Sequence, residues 1–133
     1  MLEYTISLIG GEKDGTARIM CEARGQLCHM TICYGEKAME EAASDYFKAL
    51  CQARLRLEKE GFSLLCYGSS LNVYPSGMCR DMGSGLQAYR LKIGKKPAMS
   101  DLVEIFEVGP DVTLATVGEQ TAYFEEWLRS ERV

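Results

Sequence analysis

From Leu2 to Tyr34 the apolar residues fall at every second position, and from Met39 onward they recur every third or fourth. This change of period limits the available folds more than any other feature. A period of two buries one face of a strand, whereas a period near 3.6 buries one stripe of a helix. Leu2, Tyr4, Ile6 and Leu8 form one inward row, Ala17, Ile19, Cys21 and Ala23 a second, and Cys28, Met30, Ile32 and Tyr34 a third. Gly10 to Gly15 reads as a loop, and Gly25-Gln26 fits a two-residue hairpin turn whose first position needs the positive φ that glycine supplies. Three antiparallel strands in a meander are expected.

The segment Glu36–Glu60 is expected to be one long helix. Met39, Ala43, Tyr46, Leu50, Ala53 and Leu57 repeat at three- and four-residue intervals, with Phe47 and Cys51 widening the stripe. Gly61 follows where a left-handed C-terminal cap belongs. Strand patterns return at Phe62–Tyr67, Leu71–Tyr74, Leu86–Ile93 and Leu102–Val108, and Gly109-Pro110-Asp111 is a turn. Thr116 and Glu119 match a capping box. The helix they open carries Tyr123, Phe124, Trp127 and Leu128 on one side and Glu125, Glu126 and Arg129 on the other. The expected fold is α+β, an antiparallel meander sheet with two helices packed on it in the order βββα-ββββ-α. It forms one domain spanning residues 1–133.

With 47% hydrophobic and 26% charged residues, the chain has the composition of a globular protein with a true core. Apolar runs such as Leu64-Leu65-Cys66-Tyr67 fall far short of the roughly 20 residues that cross a bilayer, so no membrane association is expected. Met1 to Thr5 lacks the basic start and apolar stretch of a signal peptide, which makes the cytoplasm the expected address. The six cysteines are then expected to be reduced thiols acting as small hydrophobes.

Those cysteines carry little chemistry by their spacing. Cys28 and Cys33, the nearest pair, fall on opposite faces of one expected strand, so a zinc site is not expected and neither is any cofactor. Cys79 is the only cysteine in an expected loop, and Arg80 beside it would favour the thiolate. Nothing in the sequence brings His29, the only histidine, to it. Gly94-Lys95-Lys96 and Gly83-Ser84-Gly85 lack the glycine spacing of phosphate- and dinucleotide-binding loops. No catalytic residue is assigned.

The long connection from Cys66 to Gly85 does not read as plain scaffold. It holds Tyr74, Ser76, Met78, Arg80, Asp81 and Met82 among its glycines. Aromatic, methionine and arginine side chains are enriched at protein interfaces. The same residues also fit a glycine-bent loop with its methionines tucked under as core filler, and both readings stand at this stage. Charge adds a second surface. The net charge is −4, and residues 98–133 alone hold eight acids against two bases. Glu119, Glu125 and Glu126, with Glu104 and Asp111, make up the expected acidic field, although solvated helix faces have the same composition.

The run from Asn72 to Tyr89, the strand Asp101–Phe106 and the closing helix through Trp127-Leu128 resemble small bacterial immunity proteins, the antidotes encoded beside polymorphic or contact-dependent toxins. The resemblance covers about the second half of the chain. It implies no cofactor and no catalysis, only binding to a toxin domain, and it transfers neither a partner identity nor a set of binding residues. An acidic antidote to a basic nuclease would gain association rate from opposite charge. A homodimer is compatible with this reading. Two other functions fit the sequence: a thiol-dependent or redox-responsive protein using Cys79, and a single-stranded nucleic-acid module. The module would use Arg80, Arg90, Lys92, Lys95 and Lys96 with Tyr74 and Tyr89 for stacking.

Overall fold

The computed structural model describes residues 1–11 and 15–133, so the expected loop at 10–15 lies partly outside the described residues. The three alternating rows form strands β1 (Leu2–Gly10), β2 (Gly15–Arg24) and β3 (Leu27–Tyr34). Tyr4 faces Ile19 and Ile6 faces Ala17 across the first pair, and Ile19 faces Ile32 across the second, so the apolar rows share one face. Gly25 takes a φ of 61° in the β2–β3 turn.

The expected long helix is two elements. Lys37–Ala43 is strand β4, paired to β3 with Tyr34 opposite Lys37, and helix α1 spans Tyr46–Lys59. Gly35-Glu36 is a second two-residue turn with glycine first, at a φ of 57°. Met39 and Ala43 misled the periodicity because residues four apart share a face in a strand as well as in a helix. The helix starts where Asp45 accepts a hydrogen bond from the Lys48 amide at 2.8 Å, and Gly61 follows its end at a φ of 81°.

α1 crosses the inner face of the sheet and leads to β5 (Phe62–Leu65), which pairs with β1 on the far edge and gives the strand order β4-β3-β2-β1-β5. The later strands are shorter than expected and form a separate sheet. β6 (Val73–Tyr74), β7 (Gln87–Arg90) and β8 (Leu102–Glu104) pair antiparallel in that order. Ile105 and Phe106, expected to continue the last strand, turn into the core instead. A third helix, α2 (Gly77–Gly83), occupies the connection read as a loop, and α3 (Val117–Arg129) closes the chain behind its Thr116–Glu119 capping box. The α+β class with antiparallel sheet is as expected. Both sheets and α1 share one core, in which Phe47, Leu50 and Ile32 meet Val73, Ala88 and Ile105.

α3 buries only one residue fully, and that residue is polar. Gln120 donates through Nε2 to the carbonyls of Gly68 (2.9 Å), Ser70 (2.9 Å) and Val73 (3.0 Å). Its Oε1 accepts from Arg54 of α1 at 2.6 Å, while Arg54 also donates to Gly68 O (3.0 Å) and Ala115 O (2.8 Å). Arg54 is only 3% exposed and enters no ion pair among the described residues. Replacing Gln120 with leucine takes one of three acceptors from the buried guanidinium and removes the side-chain donor shared by the Gly68, Ser70 and Val73 carbonyls. It is expected to cost about 2–4 kcal/mol in urea unfolding, whereas Glu126→Ala on the exposed side of the same helix stays within about 0.5 kcal/mol of wild type.

Candidate functional site

The segment Tyr74–Gly85 is ordered by a small number of contacts. Ser76 caps α2, accepting from the Cys79 amide at 3.1 Å. Ser84 ends the helix in the left-handed region, with φ 55°, and the Gly85 amide donates back to Cys79 O at 2.9 Å. Gly85 lies so close to α1 that a Cβ there would stand 2.7 Å from Asp45 Oδ1. Arg80 is turned inward. It donates to Asp45 Oδ2 at 2.8 Å, and its guanidinium lies 5.4 Å from the Phe47 ring centre and 5.5 Å from that of Tyr74. Asp45 thus caps α1 and anchors α2 with its two oxygens.

Anchoring through Arg80 leaves the other side of α2 to solvent. Met78 and Met82 are 71% and 82% exposed, and Met99, in the turn that precedes β8, is 76% exposed. The three surround a cavity of about 300 Å3 that Leu102 and Tyr89 also line. A second cavity of about 210 Å3 continues from it past Ser76 and Tyr89 to Trp127 and Leu128 of α3. Together they form one apolar groove between α2, the small sheet and α3. Its α3 wall is held by an aromatic stack. Phe124 lies flat on Tyr74 with ring centres 3.9 Å apart, and the Trp127 indole donates to Lys95 O at 3.0 Å.

The expected partner-binding residues therefore divide. Met78, Asp81 and Met82 are exposed on α2, Tyr74 and Ser76 line the groove while also bracing it through the aromatic stack and the helix cap, and Arg80 holds the site from behind. Glu125 and Glu126 are exposed on α3. Glu119 belongs to the capping box, where hydrogen bonds from the backbone and side chain of Thr116 hold its carboxyl below the ordinary range. Met99 has no place among the sequence expectations, and Leu102 and Leu128 enter them only as members of an apolar strand and helix face. The usable signal was a methionine in the Pro97-Ala98-Met99-Ser100 stretch, where a solvent-facing turn gives no reason for an apolar side chain.

Comparison with known families and with curated proteins finds no match. The chemistry of the site is therefore read from its own geometry. Cys79 lines the methionine cavity without a histidine among its neighbours there, and His29 sits on β3 opposite Glu22 and Ala42. Burial pushes the Cys21 thiol up to about 12 and raises those of Cys66, Cys51 and Cys28. For nucleic acid, Arg80 is committed to Asp45 and the Tyr74 ring to Phe124. Arg90 donates to Asp111 at 3.0 Å and to Ser100 O at 2.6 Å, leaving Lys92, Lys95 and Lys96 as the exposed cations of that set. Among the described residues no group of histidine, cysteine and carboxylate side chains could hold a metal ion, and no helix is long and apolar enough to cross a membrane.

Two measurements check this arrangement. Native-state alkylation followed by peptide mapping is expected to leave Cys21, Cys28 and Cys66 unmodified, while Cys79 reacts no faster than an unstructured thiol. Asp111 accepts from Tyr67 at 2.6 Å and from Arg90, and these bonds lower its pKa. Its folded value lies below its unfolded one, so its contribution is present above the unfolded pKa and is lost as pH falls through the folded value. The stability gap between wild type and Asp111→Asn is accordingly expected to be open at pH 7 and to close below about pH 4.

Proposed function

We propose that this protein is a non-enzymatic binding protein of the immunity class that neutralises a toxin domain in a reducing compartment. The observation that carries the reading is the groove, in which α2 holds two methionines out to water although the rest of the chain has ample core to bury them. Large apolar side chains gathered at the surface, backed by aromatic rings and an internal ion pair, are the anatomy of an interface rather than of a reaction centre. Methionine suits that role because its unbranched thioether adapts to the surface it meets.

Support also comes from what accompanies the groove. The thiols beside and beneath it lack a base, and the carboxylates of the acidic C-terminal third are spread over separate elements instead of converging on a cavity. Such spread negative charge speeds association with a basic partner without creating a catalytic pair. The resemblance of the second half of the chain to toxin antidotes supplies the class of partner.

Co-expression with the toxin encoded beside it is expected to restore growth of the host. Met82→Lys, which changes a largely exposed side chain, is expected to abolish that protection while leaving the thermal unfolding midpoint within about 2 °C of wild type. Failure of the wild-type chain to protect against any co-encoded toxin would remove the reading.

A further inference from the structure

Four sulfur-bearing side chains line the cavity at the α2 end of the groove. Met78, Cys79 and Met82 come from α2, and Met99 comes from the turn that precedes β8. A helix rotates by about 100° per residue, so the three positions on α2 share a single arc of that width, with Met82 inside it. Side chains four apart on a helix have Cβ atoms about 5–6 Å apart, which lets Met78 and Met82 meet on one atom by rotamer changes alone. Cys79 is a half-buried free thiol, whereas the three methionines are largely exposed. The other lining residues are Ser76, Gly83, Gln87, Tyr89 and Leu102, so among the described residues neither a carboxylate nor an imidazole borders the cavity.

We propose that these side chains form a binding site for a soft monovalent cation, Cu(I), with the Cys79 thiolate and the thioethers of Met78, Met82 and Met99 as ligands. The inference goes beyond the binding reading above and does not depend on it. Thiolate and thioether sulfur select Cu(I). Zinc takes cysteine, histidine and carboxylate ligands, and magnesium and calcium take oxygen. A cavity that offers three neutral thioethers and one thiol therefore suits the soft ion and gives the harder ones little to hold. The Cys79 thiol releases its proton as the copper–sulfur bond forms, so one positive charge leaves as another arrives and the charge of the site is unchanged. Coordination also gives the methionines a reason to stand in solvent. Each is unbranched, with three rotatable bonds beyond its backbone. The thioethers can close on an ion while the backbone of α2 stays where the Ser76 cap and the Arg80–Asp45 pair hold it.

The test is anaerobic titration of the full-length protein with Cu(I) in ascorbate, followed by NMR of isotope-labelled methionine methyl groups. The methyl signals of Met78, Met82 and Met99 are expected to shift together and to saturate at about one Cu(I) per chain. Those of Met30 and Met39, buried in the core, are expected to stay in place. Zn(II) is expected to leave the three groove methyls unmoved. Competition with bicinchoninate then gives the affinity. It is expected to fall at least about tenfold for the triple variant Met78→Leu/Met82→Leu/Met99→Leu and for Cys79→Ala, and thermal unfolding verifies that both are folded. A smaller fall in either variant, no binding by the wild-type chain, or an equal response to Zn(II) overturns the inference. So does copper uptake that leaves the three methyls unmoved, the result expected of adventitious capture by the half-buried thiols Cys33 and Cys51. Leucine keeps the surface apolar, so growth protection by the triple variant tests the toxin-binding reading separately.

Discussion

The guanidinium of Arg54 is buried without an ion-pair partner among the described residues, and the arrangement of the second half of the chain follows from how it is satisfied. An isolated cation in a protein interior is costly, so its donors must all find oxygen. They find the carbonyls of Gly68 and Ala115 and the side-chain oxygen of Gln120, whose amide is in turn spent on Gly68, Ser70 and Val73. These acceptors come from the turn after β5, the start of the small sheet and the segment before α3. A single buried charge therefore ties together α1, the turn after β5, β6 and the segment before α3. The helix α3 buries no large hydrophobe fully, so its rotation is set by the carbonyl contacts of Gln120 together with the Phe124 stack on Tyr74.

The position of α3 decides the groove. With Gln120 fixed, Phe124 falls one turn later on the same side and stacks on Tyr74, which already rests edge-on against Phe47 at 5.1 Å. Tyr74 in turn forms one side of the slot that holds Arg80. A chain of contacts thus runs from the buried charge on α1 through the aromatic stack to the helix that displays the methionines. α2 has seven residues, too few to be stable alone, and none of them is buried. It keeps its shape because Ser76 caps one end, Gly85 abuts α1 at the other, and Arg80 ties its middle to Asp45. A surface held this way has little conformational freedom left to lose.

The first three strands, the helix carrying Leu50, Ala53 and Leu57, and the capping box of α3 were legible because each rests on a local rule that tertiary context did not override. Strand β4 was hidden by Met39 and Ala43, whose spacing suits either period. The repeated glycine-first turn at Gly35 and the Ser44-Asp45 cap were the signals that separate the two elements. Arg54 and Gln120 were not legible at all, since a polar residue on a helix reads as solvent-facing until a set of carbonyls is placed over it. The site was half legible for a related reason. Composition marked Tyr74, Met78, Arg80 and Met82 as unusual together, but which of them face outward depends on Asp45, thirty-five residues from Arg80 along the chain. Met99 and Leu128 joined them only through the fold.

Tyr74 and Arg80 also illustrate why residue types enriched at interfaces are ambiguous in a sequence. Both can bury a large planar group and satisfy a polar end, which is as useful for bracing a surface from behind as for contacting a partner in front. Methionine is less ambiguous when it stands on a short, capped helix. It has no polar end to satisfy and gains nothing from water, so exposure of Met78 and Met82 leaves apolar surface uncompensated at roughly 25 cal/mol for each Å2. A helix free to rotate would turn that surface inward. The Asp45–Arg80 pair prevents the rotation by occupying the inner face with a charged side chain already matched to its partner. The fold thereby maintains an exposed apolar strip against the hydrophobic effect.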